Sequence, residues 1–582
     1  MRPLMERAFE ELQSGKVPIV IAPTGYGKTA ASPEIYLRAK GEGLASGLIH
    51  VAPLRSLVTM IYTSFFKKRG GAYQMHGSIE FGDKSPYFLR ELVVTTLDSY
   101  LWNLFRIPVL EAHVVEAGMS RGHYYPIYTS ILTSVNVLDE AHLMIGGDRS
   151  TIVESIQAAV RTLAKLEAQM IIETATMPSR ILKEIAKDVS RYGGRETIVL
   201  ALGCGREGYI DLGLAGEGVN VEYVEDEDWL GRNNELSWNT SLAGGWESVV
   251  DDMIRDSNEG LVLGVSNTVT GAIRLYNELA RRAREKENLV LIHGRLAEED
   301  RLKAERRMRE LSRGIVVSTP VIEAGVDVNS IAVYTEAAPI ENLVQRVGRA
   351  CRRGESLKRC IDEGGKVVVL REKGNSHYER REVEAALTLI GRRSEEGIDW
   401  RVPCGEKGYT KLINEAQSTH RLYPNIGRQA LTALFDAYLN NDGKPDALLD
   451  VLKTMGSCGI YRSVLMVPIM TPRGTVTADL YWTLAKAKEV LEFEEGAPRI
   501  IVIDRFQERS SREEVASGPA KSLWERWKAG RGRSCSMLAL NLKNDVSRIL
   551  ASIQRDRGAY TWFFKARDEA YQEGVGLTGG GI

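Results

Sequence analysis

Two adjacent carboxylates, Asp139 and Glu140, close the run Val135-Asn136-Val137-Leu138 within the stretch Ser134–His142. The β-branched and apolar residues of that run are those of a buried strand. Two like charges are costly there unless a cation and a reaction require them. In nucleotide-hydrolysing sheets the first acid of such a pair holds Mg²⁺, and the second orients or deprotonates the attacking water. A plain strand end whose acids cap the next helix would look the same in isolation. A phosphate loop upstream and an arginine cluster downstream favour chemistry.

The loop is Ala22-Pro23-Thr24-Gly25-Tyr26-Gly27-Lys28-Thr29, directly after the apolar run Val17–Ile21. Its glycines allow successive backbone N–H groups to turn inward as an anion nest. Lys28 can then reach the β- and γ-phosphates of a nucleotide such as ATP, and Thr29 can ligate Mg²⁺. Ala22 stands where the general pattern has its first glycine. Downstream, Gln345-Arg346-Val347-Gly348-Arg349-Ala350-Cys351-Arg352-Arg353 packs four arginines into eight positions. A helical reading sets Arg349 and Arg352 on one face, a spacing suited to clamping one anion.

These groups need a sheet to hold them, and short apolar runs supply its strands. Leu48–Ala52 leads to Arg55, Val93–Thr95 to Thr96, and Ala168–Met177 closes on Thr174-Ala175-Thr176. Arg55 and Thr96 recur at the same edge of that inferred sheet and are candidate contacts to a phosphate backbone. A second set follows the acidic run Glu222–Asn239, which reads as a solvated linker. It comprises Leu261–Val265 before Ser266, Leu289–Ile292 before His293-Gly294-Arg295, and Gly314–Ser318 before Thr319 and Gly325-Val326-Asp327. The expected division is 1–215 for a first, nucleotide-binding lobe and 216–394 for the linker and a second lobe. Residues 395–582 would form a mixed α/β accessory domain.

Bulk properties set the class. The chain has 582 residues, enough for about three or four domains. Acidic and basic residues nearly cancel, 77 against 76, so any nucleic-acid binding must use a local channel rather than a global field. The N-terminal residues are not those of a signal peptide. No apolar run approaches about 18 residues, so no membrane span is expected. The six cysteines, at 204, 351, 360, 404, 458 and 535, form no Cys-x-x-Cys pair. That scatter argues against a disulfide scaffold or zinc site and fits a reducing cytoplasm.

Taken in order, the motifs resemble those of the superfamily 2 helicases over roughly residues 15–355. The set is a modified phosphate loop, Pro-Leu-Arg, Thr-Thr-Leu-Asp, Asp-Glu-Ala-His, Thr-Ala-Thr, Ser-Thr-Pro…Gly-Val-Asp and Gln-Arg-Val-Gly-Arg. The resemblance implies an α/β fold of two tandem RecA-like lobes with ATP between them. Lys28 and Thr29 would bind phosphate and Mg²⁺, Asp139 the metal, and Glu140 the water. Arg349 and Arg352 would be arginine fingers, with Gln345 and Asp327 coupling nucleotide to lobe closure. Arg55, Thr96, Ser266 and Thr319 would face a single strand of nucleic acid.

Thr-Ala-Thr-Met-Pro, Ile-His-Gly-Arg and Val-Ile-Glu-Ala-Gly-Val-Asp are most similar to the CRISPR-associated Cas-three helicases of type I interference. This implies 3′–5′ translocation on single-stranded DNA after recruitment by the Cascade surveillance complex. Pro320 stands where that family commonly has glutamine, and Met5 where an adenine-reading glutamine would fall. The family's helicase is often fused to a metal-dependent nuclease built on a His-Asp dipeptide. None of the eight histidines here is followed by aspartate, and only 15 residues precede Lys16. The expectation is therefore a motor that works with a separate HD nuclease subunit, as in type I-A systems. An RNA helicase, a DNA-repair helicase and a nucleotide-gated clamp are the alternatives. Beyond residue 395, Lys521–Arg533 interleaves five cations with Trp524 and Trp527. It suits either single-strand stacking or an ordinary core.

Overall fold

The computed structural model describes residues 1–75, 83–106, 122, 124–141, 150–177, 179–204, 214, 219–233, 235–283, 288–323, 327–371, 378–418, 466–504, 513–515, 517–529 and 560–578. Eight strands build the first sheet: β1 (Val17–Ile21), β2 (Gly47–Ala52), β3 (Ala72–Gln74), β4 (Leu92–Thr96), β5 (Ser134–Leu138), β6 (Met170–Thr174), β7 (Thr197–Leu202) and β8 (Asn220–Val224). They pair in parallel in the order β3-β4-β2-β5-β6-β1-β7-β8. Strands such as Val-Pro-Ile-Val-Ile are buried throughout because helices cover both faces. Val17, Ile19 and Ile21 meet Val160, Leu163 and Ile181 on one face. Val20 and Ala22 meet Phe9 and Ile35 on the other, as a period of two requires.

The second sheet, also parallel, has the order β11-β12-β10-β13-β14-β9. Its strands are β9 (Trp238–Ala243), β10 (Leu261–Val265), β11 (Leu289–Ile292), β12 (Gly314–Ser318), β13 (Ala332–Glu336) and β14 (Gly365–Leu370). The two lobes are thus the expected α/β pair. A third sheet of five strands is mixed, in the order Gly474–Asp479, Met466–Thr471, Tyr560–Lys565, Ile500–Asp504, Glu513–Val515. The hairpin Tyr571–Leu577 ties this domain to lobe 2: the Tyr571 hydroxyl donates to Asp300 Oδ2 (2.7 Å) and His293 Nε2 donates to the Val575 carbonyl (2.8 Å).

Several expectations shift. The run Glu222–Asn239 is not a bare linker, since β8 adds an edge strand to the first sheet and β9 joins the second. β8 is the partly exposed edge, which explains its polar composition, and Glu222 is anchored by Arg7 at 2.6 Å. The first lobe therefore runs past 215. Ile398, Trp400, Tyr409 and Leu412 lie in the core of lobe 2, so the accessory domain starts beyond 395. Trp524 is a core residue set edge-on to Phe493, and Trp527 packs against that core and Tyr481. Cysteines outside any Cys-x-x-Cys spacing also meet. Cys351 and Cys360 have Cα atoms 5.8 Å apart, and Cys204 and Cys404 6.2 Å apart, both within bonding reach. Local spacing carried no sign of either pair. Among the described residues no helix is long and apolar enough to cross a membrane.

Candidate active site

The phosphate loop turns from β1 into the helix Lys28–Gly41. Gly25 and Gly27 hold φ of +83° and +108°, conformations that favour glycine. Ala22 has no positive φ and continues the strand, its N–H donating to Thr174 O (3.0 Å), so alanine fits where the pattern has glycine. Lys28 is buried and its Nζ donates to the carbonyls of Ala22 (2.8 Å) and Pro23 (3.4 Å), inside the loop that phosphate would enter. Thr29 Oγ1 donates to Asp139 Oδ2 at 2.8 Å, bringing the two expected metal ligands together. A hydroxyl and a carboxylate are hard oxygen donors that suit Mg²⁺.

Asp139 ends β5 fully buried. His50 of β2 meets its Oδ2 at 3.1 Å, and Ser32 braces the far side of that imidazole at 2.8 Å. Burial alone would raise the Asp139 pKa; the His50 hydrogen bond and charge, with the charge of Lys28, instead hold it below the usual value. Glu140 sits at φ +51°, with its N–H donating to Asp139 Oδ1 at 2.8 Å, a strained turn of the kind found at functional sites. Burial pushes its carboxyl up, Lys28 opposes this and Asp139 adds to it.

Sequence reasoning missed a third carboxylate. Glu173 pairs with Val20 in the register of β6 with β1, and the pairing Leu138↔Ile172 sets it beside Asp139. It is 0 % exposed, and neither of its oxygens has a hydrogen-bond partner among the described residues. Burial, then the charge of Asp139, pushes its pKa well above the ordinary range. The available signal was a charge inside the otherwise apolar strand Met170–Thr174.

Lobe 2 closes over the loop. Thr24 Oγ1 donates to Gln345 Oε1 at 2.6 Å. Arg352 packs on Gly25, where a Cβ would lie 3.0 Å from its Nη2; a side chain at residue 25 would crowd that guanidinium. Asp327 holds Arg352 (2.7 Å) and Arg353 (2.5 Å). Arg349 is buried, with Nη2 donating to the Glu323 carbonyl and Nε without a hydrogen-bond partner among the described residues. Burial and the charge of Arg352 push its pKa down to about 10, and Glu140 across the cleft opposes them. The arginines are not on one helical face, however. The helix Ile340–Val347 ends before them, and Cys351 turns the chain at φ +54°. Arg346, on the helix, is a scaffold group bonded to Glu323 (2.8 Å), Thr335 (2.7 Å) and Asn267 (2.9 Å). Gly325 and His142 lie outside the described residues.

The residues expected at nucleic acid are differently placed. Arg55 donates to Thr477 of the accessory domain at 2.5 Å. Thr96 is buried and caps the helix Leu97–Leu104 through Ser99. Ser266 is buried with its hydroxyl on Glu336 (2.9 Å), and Thr319 is buried at the end of β12. Thr96 and Ser266 thus each use their hydroxyl in a hydrogen bond inside the fold.

Two family models match the chain: DEAD/DEAH box helicase over residues 2–185, and the C-terminal part of CRISPR-associated nuclease/helicase Cas3 over residues 258–355. The CRISPR-associated helicase Cas3 of Thermoproteus tenax is 26% identical over 372 residues, 60% of this chain and 56% of that protein. The crystal structure of T. fusca Cas3-ADP superposes with TM-score 0.57 at 16% identity, covering 85% of this chain and 62% of that one. A chain of a CRISPR RNA-guided surveillance complex in a pre-nicking state gives TM-score 0.51 at 15% identity, covering 81% and 58%. The chain spans about half the length of the curated Cas3 relatives it matches.

Proposed function

We propose, for a chain that carries a DEAD/DEAH box helicase domain followed by a Cas3-type C-terminal helicase domain, that it hydrolyses ATP to move 3′–5′ along single-stranded DNA. It would serve CRISPR type I interference in the cytoplasm, with the Cascade complex and a separate HD nuclease subunit as partners. The observation that carries the reading is the meeting of both lobes at the phosphate loop, through Thr24–Gln345 and Arg352 on Gly25. Lys28 binds the β- and γ-phosphates. Thr29 and Asp139 would hold Mg²⁺, which when bound neutralises phosphate charge. Glu140 orients the attacking water and takes its proton. Arg349 and Arg352 bring positive charge from the other lobe to the transferring phosphoryl group. Because those arginines belong to lobe 2, hydrolysis depends on closure, and closure can be coupled to the strand.

The test is steady-state ATP hydrolysis by the purified chain with single-stranded DNA, RNA or neither, together with unwinding of 3′- and 5′-tailed duplexes. Stimulation by DNA and unwinding from the 3′ tail are expected. Stimulation by RNA alone would replace the reading with an RNA helicase, and hydrolysis indifferent to both polymers would replace it with a clamp.

A further inference from the structure

The turn 398–409 leaves lobe 2 and is buried against both lobes. Ile398 and Trp400 are buried in the core of lobe 2, and Trp400 Nε1 donates to Thr240 Oγ1 of β9 at 3.0 Å. Val402 and Cys404, two and four residues further on, are buried in the core of lobe 1. The turn is held in shape by Asp399, whose Oδ1 accepts from the N–H groups of Arg401 and Val402, both at 2.9 Å. Its own N–H donates to Lys407 O at 2.8 Å.

Between the two anchors lies Arg401. It is 6 % exposed, and its Nη1 donates to the carbonyls of Ala350 (3.1 Å) and Cys351 (3.4 Å). Those carbonyls lie between Arg349 and Arg352, at the left-handed residue Cys351 where the chain reverses. At the far end of the same turn, the Tyr409 hydroxyl donates to the carbonyl of Ala175 (3.4 Å), within the Thr174–Thr176 stretch of lobe 1. A buried cation is costly unless its hydrogen bonds specify something. Here they fix the backbone that aims two arginines.

We propose that Arg401 is a positioning residue: through the Ala350 and Cys351 carbonyls it sets the arginine turn against the phosphate loop, and the turn 398–409 ties that setting to the lobe 1 stretch Thr174–Thr176. The inference rests on the reading of this cleft as a site of ATP hydrolysis. Arg401 touches no phosphate in this scheme; it acts through Arg349 and Arg352. Its removal therefore weakens the transition state and spares ground-state binding. Lysine keeps the charge but not the planar fork.

The test measures kcat and KM for ATP, nucleotide affinity and melting temperature for Arg401→Lys, Arg352→Ala and the double variant, with polymer present. Arg401→Lys should lower kcat by about 10²-fold, the scale of a misplacement of about 1 Å, with KM and affinity near wild type. The double variant should lose less than the product of the two single losses, because Arg401 acts in part through Arg352. Wild-type kcat, an equal loss of affinity, or losses that multiply would each overturn the proposal. If Arg401→Lys does not fold, Tyr409→Phe removes one hydroxyl from the same turn and must lower kcat without changing KM; wild-type kcat there also overturns it. A wild-type chain whose hydrolysis is absent or insensitive to Lys28→Ala would instead defeat the hydrolytic reading itself.

Discussion

Glu140 and Lys28 act on opposite ends of the reaction, and their variants should part accordingly. Glu140→Gln keeps the shape of the left-handed turn beside Asp139 but removes the proton acceptor. Turnover should nearly vanish while ATP stays bound, whereas Lys28→Ala should weaken ATP binding directly. Rates and affinities for the two variants check this, and wild-type turnover by Glu140→Gln would remove that residue from the chemistry. Arg352 reaches the loop from the other lobe. Arg352→Ala should leave affinity nearly intact and slow hydrolysis by about 10³-fold or more, as for arginine fingers elsewhere. Normal hydrolysis would reduce the cluster to a basic surface. Lys28, Thr29, Asp139 and Glu140 were legible because each sits in a contiguous motif whose spacing reflects its chemistry. Glu173 and Arg401 were not, since what singles them out is a cross-strand register and two carbonyls some fifty residues away in the chain.

At the scale of elements, apolar runs identified most strands, because central strands of a parallel sheet are buried on both faces and show it in composition. Edges were harder. β8 is half-exposed and acidic, so it reads as a linker until its pairing with β7 is seen. The junction of lobe 2 with the accessory domain was also invisible, and it carries its own prediction. His293 ends β11 fully buried and donates to Val575 of the docking hairpin. Burial, with the nearby charges of Arg295 and Arg301, pushes its pKa from 6.5 to about 4. A histidine depressed in the fold takes up a proton on unfolding. Its stabilising contribution is therefore complete above about pH 6.5 and is lost progressively as pH falls towards 4, by about 3 kcal/mol in all. Denaturant midpoints measured at pH 7 and pH 5 should fall more for the wild type than for His293→Gln, which keeps an N–H donor but cannot titrate. Equal slopes would mean that other groups carry the acid sensitivity.

On the scale of the whole molecule, the lobes are joined at more places than the chain connection between them. Thr24 meets Gln345, Arg55 meets the accessory domain, and the turn 398–409 is buried in both cores. Cys404 rides on that turn and lies with its Cα 6.2 Å from that of Cys204 in lobe 1, across a sequence separation of 200. A bond there would shorten the covalent path between these two cysteines from 200 residues to one side-chain bridge. Closing so long a loop restricts the unfolded chain by on the order of 5 kcal/mol in the chain-entropy account. The same bond would also restrain two lobes that must part and close in each cycle of hydrolysis. Reduction of the air-oxidised protein should then act in opposite directions on two observables: the melting temperature falls while polymer-stimulated hydrolysis rises. Cys204→Ser should lose the part of the reductant response that comes from the inter-lobe pair, and what response remains in it, from the Cys351–Cys360 pair confined to lobe 2, is the internal control. Melting curves and ATPase rates with and without reductant decide it. A wild type that melts and hydrolyses identically in both states would show that no bond restrains the lobes, and the closure cycle would then depend on the non-covalent contacts of the turn alone.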